Sequence, residues 1–148
     1  MTGPIGGAER AFRQAVEHWV AGDVDATVSC WTDDGIYSCF LETTGKPYAG
    51  TFQGHDAIKG ALQAVLDEIE YVVFRTTTWR TDPIDHNKVE VSVDTIIRHR
   101  ASGMELGMQY RFVAIMRDGK IAQLEKHLDE PRYKAWIELS DQAGGQQT

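Results

Sequence analysis

Along positions 8–21 the apolar side chains Phe12, Ala15, Val16, Trp19 and Val20 recur at three- and four-residue steps against Glu9, Arg13 and Glu17. That spacing predicts an amphipathic helix. Gly22 stops it, and Asp23 is suited to accept from the free amides of a second short helix reaching Trp31, with Val24, Val28 and Trp31 on one side. Asp33, Asp34 and Gly35 predict a turn, 36–41 a strand, 45–50 a turn region with a short extended piece, and 51–54 the lead into a third helix. This third helix, about 55–69, carries Ile58, Ala61, Leu62, Val65, Leu66 and Ile69 on one face.

Beyond it the pattern changes to β-branched and aromatic segments at 71–80, 88–101, 104–117 and 120–128, broken at 83–87, Ser102-Gly103 and Asp118-Gly119. The last two breaks are short enough for hairpins. A closing short helix over 131–139 fits Pro131 in its first turn. Sequential hairpins make an antiparallel sheet, and the apolar helical stripes that can cover it lie upstream. The prediction is therefore one α+β domain over 8–139, with the helices held in a strongly curved sheet that leaves a pocket at its wide end. The Gly/Pro-rich 1–7 and the 140–148 stretch are expected to be flexible tails.

Composition narrows the function classes. Among 148 residues, 22 acidic and 15 basic side chains give a formal charge of -7, with no Lys/Arg cluster to track phosphates, so no nucleic-acid partner is expected. No apolar run is long enough to cross a bilayer and no signal-peptide pattern opens the chain; a cytoplasmic location and no membrane partner are expected. Cys30 and Cys39 are read as free thiols. His55, His86 and His99 lack ligand spacing, and phosphate-loop, dinucleotide-glycine and Gly-x-Ser-x-Gly motifs are missing, so neither a metal nor a cofactor is expected.

Four stretches in order resemble the SnoaL-like branch of the NTF2-like superfamily: Ala21-Gly22-Asp23-Val24-Asp25-Ala26, Trp31-Thr32-Asp33-Asp34-Gly35, Tyr48-Ala49-Gly50-Thr51-Phe52-Gln53-Gly54-His55-Asp56-Ala57-Ile58, and Asp118-Gly119-Lys120-Ile121 running to His127-Leu128-Asp129. The resemblance implies the cone-shaped NTF2-like fold. It implies no single reaction, because the superfamily holds steroid isomerases, polyketide cyclases, limonene-type epoxide hydrolases, dehydratases and non-catalytic binding domains. In the epoxide hydrolases one strand carries Arg-x-Asp and the last strand ends in a second Asp. Ser92-Val93-Asp94 and His127-Leu128-Asp129 fill those places here, matching the carboxylates and lacking the arginine. Tyr37 matches that family's water-positioning tyrosine, while Cys39 departs from its asparagine. A steroid-isomerase alignment departs further, with Ala15, Cys39 and Arg111 at the functional places.

The resemblance also implies a register. If Asp94 and Asp129 point into the cone, alternation brings in Ile96, Gln109, Arg111, Val113, Glu125 and His127, with Tyr37 opposite. Asp94, Asp129, His127, Arg111 and Tyr37 are then the catalytic candidates, and Cys39, Ile96, Gln109, Val113 and Glu125 line the substrate. One carboxyl group kept protonated and the other kept ionised by Arg111 or His127 form an acid/base pair acting on a small apolar oxygenated molecule. The opposite faces, with Val89, Val91 and Val93, Met108, Tyr110 and Phe112, and Leu124 and Leu128, would meet a second copy in a homodimer. The competing reading is ordinary alternation: those apolar faces inside, and Asp94, Arg111 and His127 in solvent. A non-catalytic ligand-binding or association domain is the alternative function.

Overall fold

The computed structural model describes residues 6–145. In chain order it forms α1 (Gly7–Val20), α2 (Val24–Val28), β1 (Trp31–Cys39), a 3-10 turn (Glu42–Thr44), β2 (Gly50–Gln53), α3 (His55–Glu68), β3 (Ile69–Thr81), β4 (Lys88–His99), β5 (Glu105–Arg117), β6 (Lys120–His127) and α4 (Glu130–Gly145). The six strands make one curled, unclosed sheet in the order β2-β1-β6-β5-β4-β3. Every neighbouring pair is antiparallel except β1 with β6, which run parallel. This is the expected α+β cone.

Local chemistry explains most boundaries. Asp23 accepts from the Ala26 amide at 3.0 Å and so caps α2. Gly22, at φ 76°, takes the left-handed turn that ends α1. The hairpin between β5 and β6 turns through Asp118 (φ 51°) and Gly119 (φ 76°), the Asp-Gly signature of a tight two-residue loop. Two boundaries differ from the sequence reading. β1 begins at Trp31 and carries Asp33-Asp34-Gly35 as an irregularity in its pairing with β6 rather than as a turn before it. α4 runs to Gly145 because Ser140 is buried and Asp141 pairs with Lys46 at 2.8 Å, so the last helix holds most of the segment expected to be loose. Residues 1–5 and 146–148 of the expected tails lie outside the described residues.

The faces of the sheet follow ordinary alternation. On β4, Val89, Val91, Val93, Thr95, Ile97 and His99 are buried. On β5 the matching set is Met108, Tyr110, Phe112, Ala114 and Met116. They pack against Phe12 and Ala15 of α1, Ile58, Leu62 and Val65 of α3, and Tyr133, Trp136 and Ile137 of α4 in one core. Each Val, Leu, Ile, Phe or Met among them contributes about 1.5–3 kcal/mol when fully buried. The apolar face expected to meet a second copy is therefore covered by the chain's own helices. The polar-in register is corrected, because burying that many apolar side chains outweighs sheltering a few charges.

Bulges decide the orientation of β3. Tyr71 pairs with Ile97, Phe74 with Thr95, Thr76 with Val93 and Trp79 with Val91, and the register shifts between Tyr71 and Val73 and again between Thr76 and Thr78. Each extra residue reverses the alternation, so Tyr71, Phe74, Thr76 and Trp79 all share the inner face.

Candidate functional site

The curled sheet and α1 to α3 enclose a cavity whose walls are nearly all apolar. α1 supplies Phe12, Ala15, Val16 and Trp19; α3 supplies Leu62. Trp31 and Tyr37 come from β1, Phe74 from β3, Phe112 from β5, and Ile121 and Leu124 from β6. The void totals about 460 Å³ with its mouth, and a water molecule can be centred in only about 40 Å³ of it. The inner cone has room for a head group of a few atoms.

One charge faces this lining. Lys126 lies on β6 between Phe112 of β5 and Cys39 of parallel β1, and it is 5% exposed. A bulge at the β5–β6 pairing puts Ile121, Leu124 and Lys126 on the inner face. The Lys126 Nζ sits 4.5 Å from the centre of the Tyr110 ring, a cation–π contact worth about 2 kcal/mol when desolvated. Among the described residues it has no carboxylate partner and no hydrogen bond. Burial works against its ammonium form. The face of the Tyr110 ring, negative in its π-cloud, works for it.

The other polar groups nearby are proton donors. Tyr37 is 2% exposed, lies edge-on to Trp31 at 6.3 Å and stacks on Phe52 at 6.2 Å. Its pKa is raised first by burial and then by neighbouring Cys39 and Tyr71, so the phenol keeps its proton. The Tyr71 hydroxyl and the Trp31 indole N–H are buried without a hydrogen-bond partner. Burial likewise raises the Cys39 thiol, which is fully enclosed and protonated. Among the described residues, no carboxylate or imidazole belongs to the lining.

The sequence-predicted residues are dispersed. Tyr37 lines the cavity and Cys39 lies buried beside Lys126. Asp94, on the outer face of β4, accepts from Arg75 at 3.0 Å where both are substantially exposed. Arg111 pairs with Glu90 at 3.1 Å on that face, and Gln109 and Ile96 share it. Val113, opposite Glu90 and Glu125, is on the outer side as well. His127 is half-buried outside, stacked on Phe40 at 4.9 Å and 3.4 Å from Glu125. Asp129 is exposed, and its carboxylate accepts from the Arg132 amide at 3.2 Å, which makes it the cap of α4. Alternation places these charges in solvent, where they cost least. Sequence reasoning missed Lys126, although its position between Leu124 and Leu128 on an apolar parity was the available signal.

A second polar cluster lies at the end of the sheet. Glu68, His99 and Asp141 bring their ligand atoms within 4.8 Å of one another. The Lys46 ammonium already joins the two carboxylates at 2.7 and 2.8 Å. Tyr48 donates to Glu68 at 2.7 Å and contacts the Tyr133 hydroxyl. The cluster ties α3, β4 and α4 together, and the lysine supplies the cation those acids require.

The family model of the SnoaL-like domain matches residues 12–124. No curated protein matches the chain in sequence. Among solved structures, an NTF2-like protein of unknown function from Burkholderia pseudomallei is similar at TM-score 0.80 and 15% identity, covering 90% of this chain and 98% of that one. TerC, crystallised with polyporic acid, is similar at TM-score 0.76 and 18% identity over 90% of this chain and 99% of its own. A Xanthomonas campestris protein provisionally described as a polyketide cyclase is similar at TM-score 0.71 and 14% identity, with 88% and 96% covered. At these identities the likeness is one of fold.

Proposed function

The chain belongs to the SnoaL-like family, and from that membership together with the buried ammonium of Lys126 we propose that it processes a small, largely apolar molecule whose acidic or enolisable oxygen Lys126 holds in the cone. The observation that carries this reading is a charged group facing an apolar cavity without a counter-charge. Burying an ammonium costs several kcal/mol, and the Tyr110 ring offsets only part of that. A ligand oxyanion completes the pair, and in a water-poor site that attraction exceeds its value in water.

The lining favours one kind of chemistry. Among the described residues it offers proton donors, Lys126 and Tyr37, and no carboxylate or imidazole base, so the substrate must bring its own acidity. An enol or β-dicarbonyl acidic enough to lose its proton to water binds as the enolate against the ammonium. When the enolate carbon forms a bond to a second carbonyl, charge moves to the new alkoxide oxygen, which takes a proton from Lys126. The amine recovers that proton from water. This cofactor-independent acid/base cycle suits a ring closure or a keto–enol isomerisation. The second reading is non-catalytic sequestration of the same molecule, favoured by the lack of a base in the lining.

Polyporic acid is a suitable first probe because TerC, a structural relative, was crystallised with it. Calorimetric titration should show binding to the wild type and a roughly 30-fold loss in Lys126→Met, the scale of one hydrogen bond to a charged group. Equal affinity in a folded Lys126→Met variant would refute the lysine's role. Product analysis on a panel of poly-β-ketones separates the two readings. Turnover with a pH profile set by the lysine supports catalysis, and tight binding without product supports sequestration.

A further inference from the structure

We propose that the entrance to the cone is the seam between α1 and β3, and that the bound molecule runs through it as an elongated aryl acid: acidic head at Lys126, aromatic tail on Trp79 in an outer groove. This inference rests on the reading of Lys126 given above.

The seam is joined by side chains at its two ends. At one end Phe12 meets Trp79 edge-on at 5.6 Å, Arg13 lies over the same ring at 4.4 Å, and Thr81 reaches Glu9 at 3.4 Å. At the other, Trp19 meets Tyr71 edge-on at 5.9 Å. Phe12, Val16 and Trp19 lie on one helical face, and the two bulges of β3 line up Trp79, Thr76, Phe74 and Tyr71 opposite them. Val16 and Phe74 therefore stand midway between the closed ends.

The same two residues belong to both cavities. They line the inner cone, and they also line an outer groove of about 620 Å³, open to solvent, with Arg13, Glu17, Thr76 and Trp79. Among the described residues, these two half-buried side chains alone are shared between the spaces. Neither is fixed by a hydrogen bond; Phe74 meets the Tyr71 ring edge-on at 5.3 Å, so opening requires a change of rotamer at these two side chains. Val16 and Phe74 form a window.

Volume then sets the ligand's shape. The inner cone admits water centres in about 40 Å³, too little for a multi-ring molecule, so most of such a ligand must lie beyond the window. There the exposed side of Trp79 offers a stacking surface, and Arg13, already paired with Glu9 at 2.9 Å, holds that ring in place. An aryl tail fits this groove. A tail bearing a second carboxylate would face Glu17.

The test compares benzoate, which carries the acidic head on a single ring, with terphenylcarboxylate, which is long enough to span both spaces, using quenching of tryptophan fluorescence. Wild type should bind the long acid at least 10-fold more tightly. Val16→Trp, which fills the window, should weaken the long acid by 10-fold or more and weaken benzoate distinctly less; Val16→Phe gives a milder form should the larger ring impair folding. Trp79→Ala should weaken the long acid roughly 3- to 10-fold, the worth of one aromatic contact. Lys126→Met should weaken both acids. If benzoate binding depends on Lys126 while the Val16 and Trp79 variants treat both acids alike, the window is overturned and the lysine's role stands. If the long acid binds regardless of Lys126, the lysine's role falls. If neither acid binds the wild type, both are overturned.

Discussion

Replacing Gly35 by alanine tests how the cone's wall is held. Gly35 has no positive φ, so its need for glycine is one of space. An added Cβ would lie 2.6 Å from Trp31 Cδ1, 3.0 Å from the Thr32 carbonyl oxygen and 3.2 Å from that of Ile121. The indole is 2% exposed and both carbonyl oxygens are backbone atoms, so neither neighbour withdraws freely. Overpacking costs about 1–3 kcal/mol, and backbone contacts put this site near the upper end. The entropy that alanine removes from the unfolded chain returns about 0.4–1 kcal/mol. The net loss should be about 2 kcal/mol, a fall in Tm of about 4–8 °C for a chain of this size. Urea and thermal unfolding measure it. Because the closest clash is with Trp31, Trp31→Phe in the same chain should recover part of the loss, a coupling of at least about 0.5 kcal/mol in a double-mutant cycle. A Gly35→Ala protein as stable as wild type would refute the reasoning.

Other outcomes follow from the same geometry. Asp94→Asn should leave stability within about 0.5 kcal/mol and leave ligand binding unchanged, since its partner Arg75 and the carboxylate are both exposed; loss of activity without unfolding would return Asp94 to the site. Lys46→Met should destabilise the fold by about 2 kcal/mol, less than a fully buried pair, because Glu68 and Asp141 lose their shared cation; an unchanged urea midpoint would show the cluster to be ornamental. The buried phenols of Tyr37, Tyr48, Tyr110 and Tyr133 all have raised pKa values, chiefly through burial. Their protonated forms favour the folded state, so this stability is whole below the unfolded phenol pKa of about 10 and drains as pH rises above it. Each contributes a slope of about 1.4 kcal/mol per pH unit. Unfolding should therefore set in steeply above about pH 10, with phenolate absorbance appearing alongside loss of helix; phenolate forming in a still-folded chain would contradict the burial argument.

Most of the fold could be read from local patterns. The stripe of α1, the Asp23 cap, the Asp-Gly hairpin and the four late strands each announce themselves within a few residues. The site could not be read the same way, because a strand's pattern names two faces without saying which is inside. Family likeness to a two-carboxylate enzyme pulled that choice toward Asp94 and Asp129, whereas the valines of β4 and the aromatics of β5 decided it for the other face. On β3 the sequence was silent for a further reason: two inserted residues switch the parity of Phe74 and Thr76 relative to Tyr71 and Trp79, and no short-range signal marks a bulge. Gly35 looked like a turn residue beside two aspartates, while its use is to let an indole lie against the backbone.

The irregular course of β3 has an implication for the molecule in company. With thirteen residues it is among the longest strands, and it forms one free border of the sheet, where its Val72 and Val73 are exposed. A straight border of that length would invite another chain to add itself, hydrogen bond by hydrogen bond. The paired insertions bend the unpaired amides and carbonyls out of a common line, so the irregularity that sets the ligand's doorway also guards against fibrous self-association. Straightening it by deleting Val72 and Thr77 keeps every inward side chain in phase, and should yield a protein that still folds and clumps on standing.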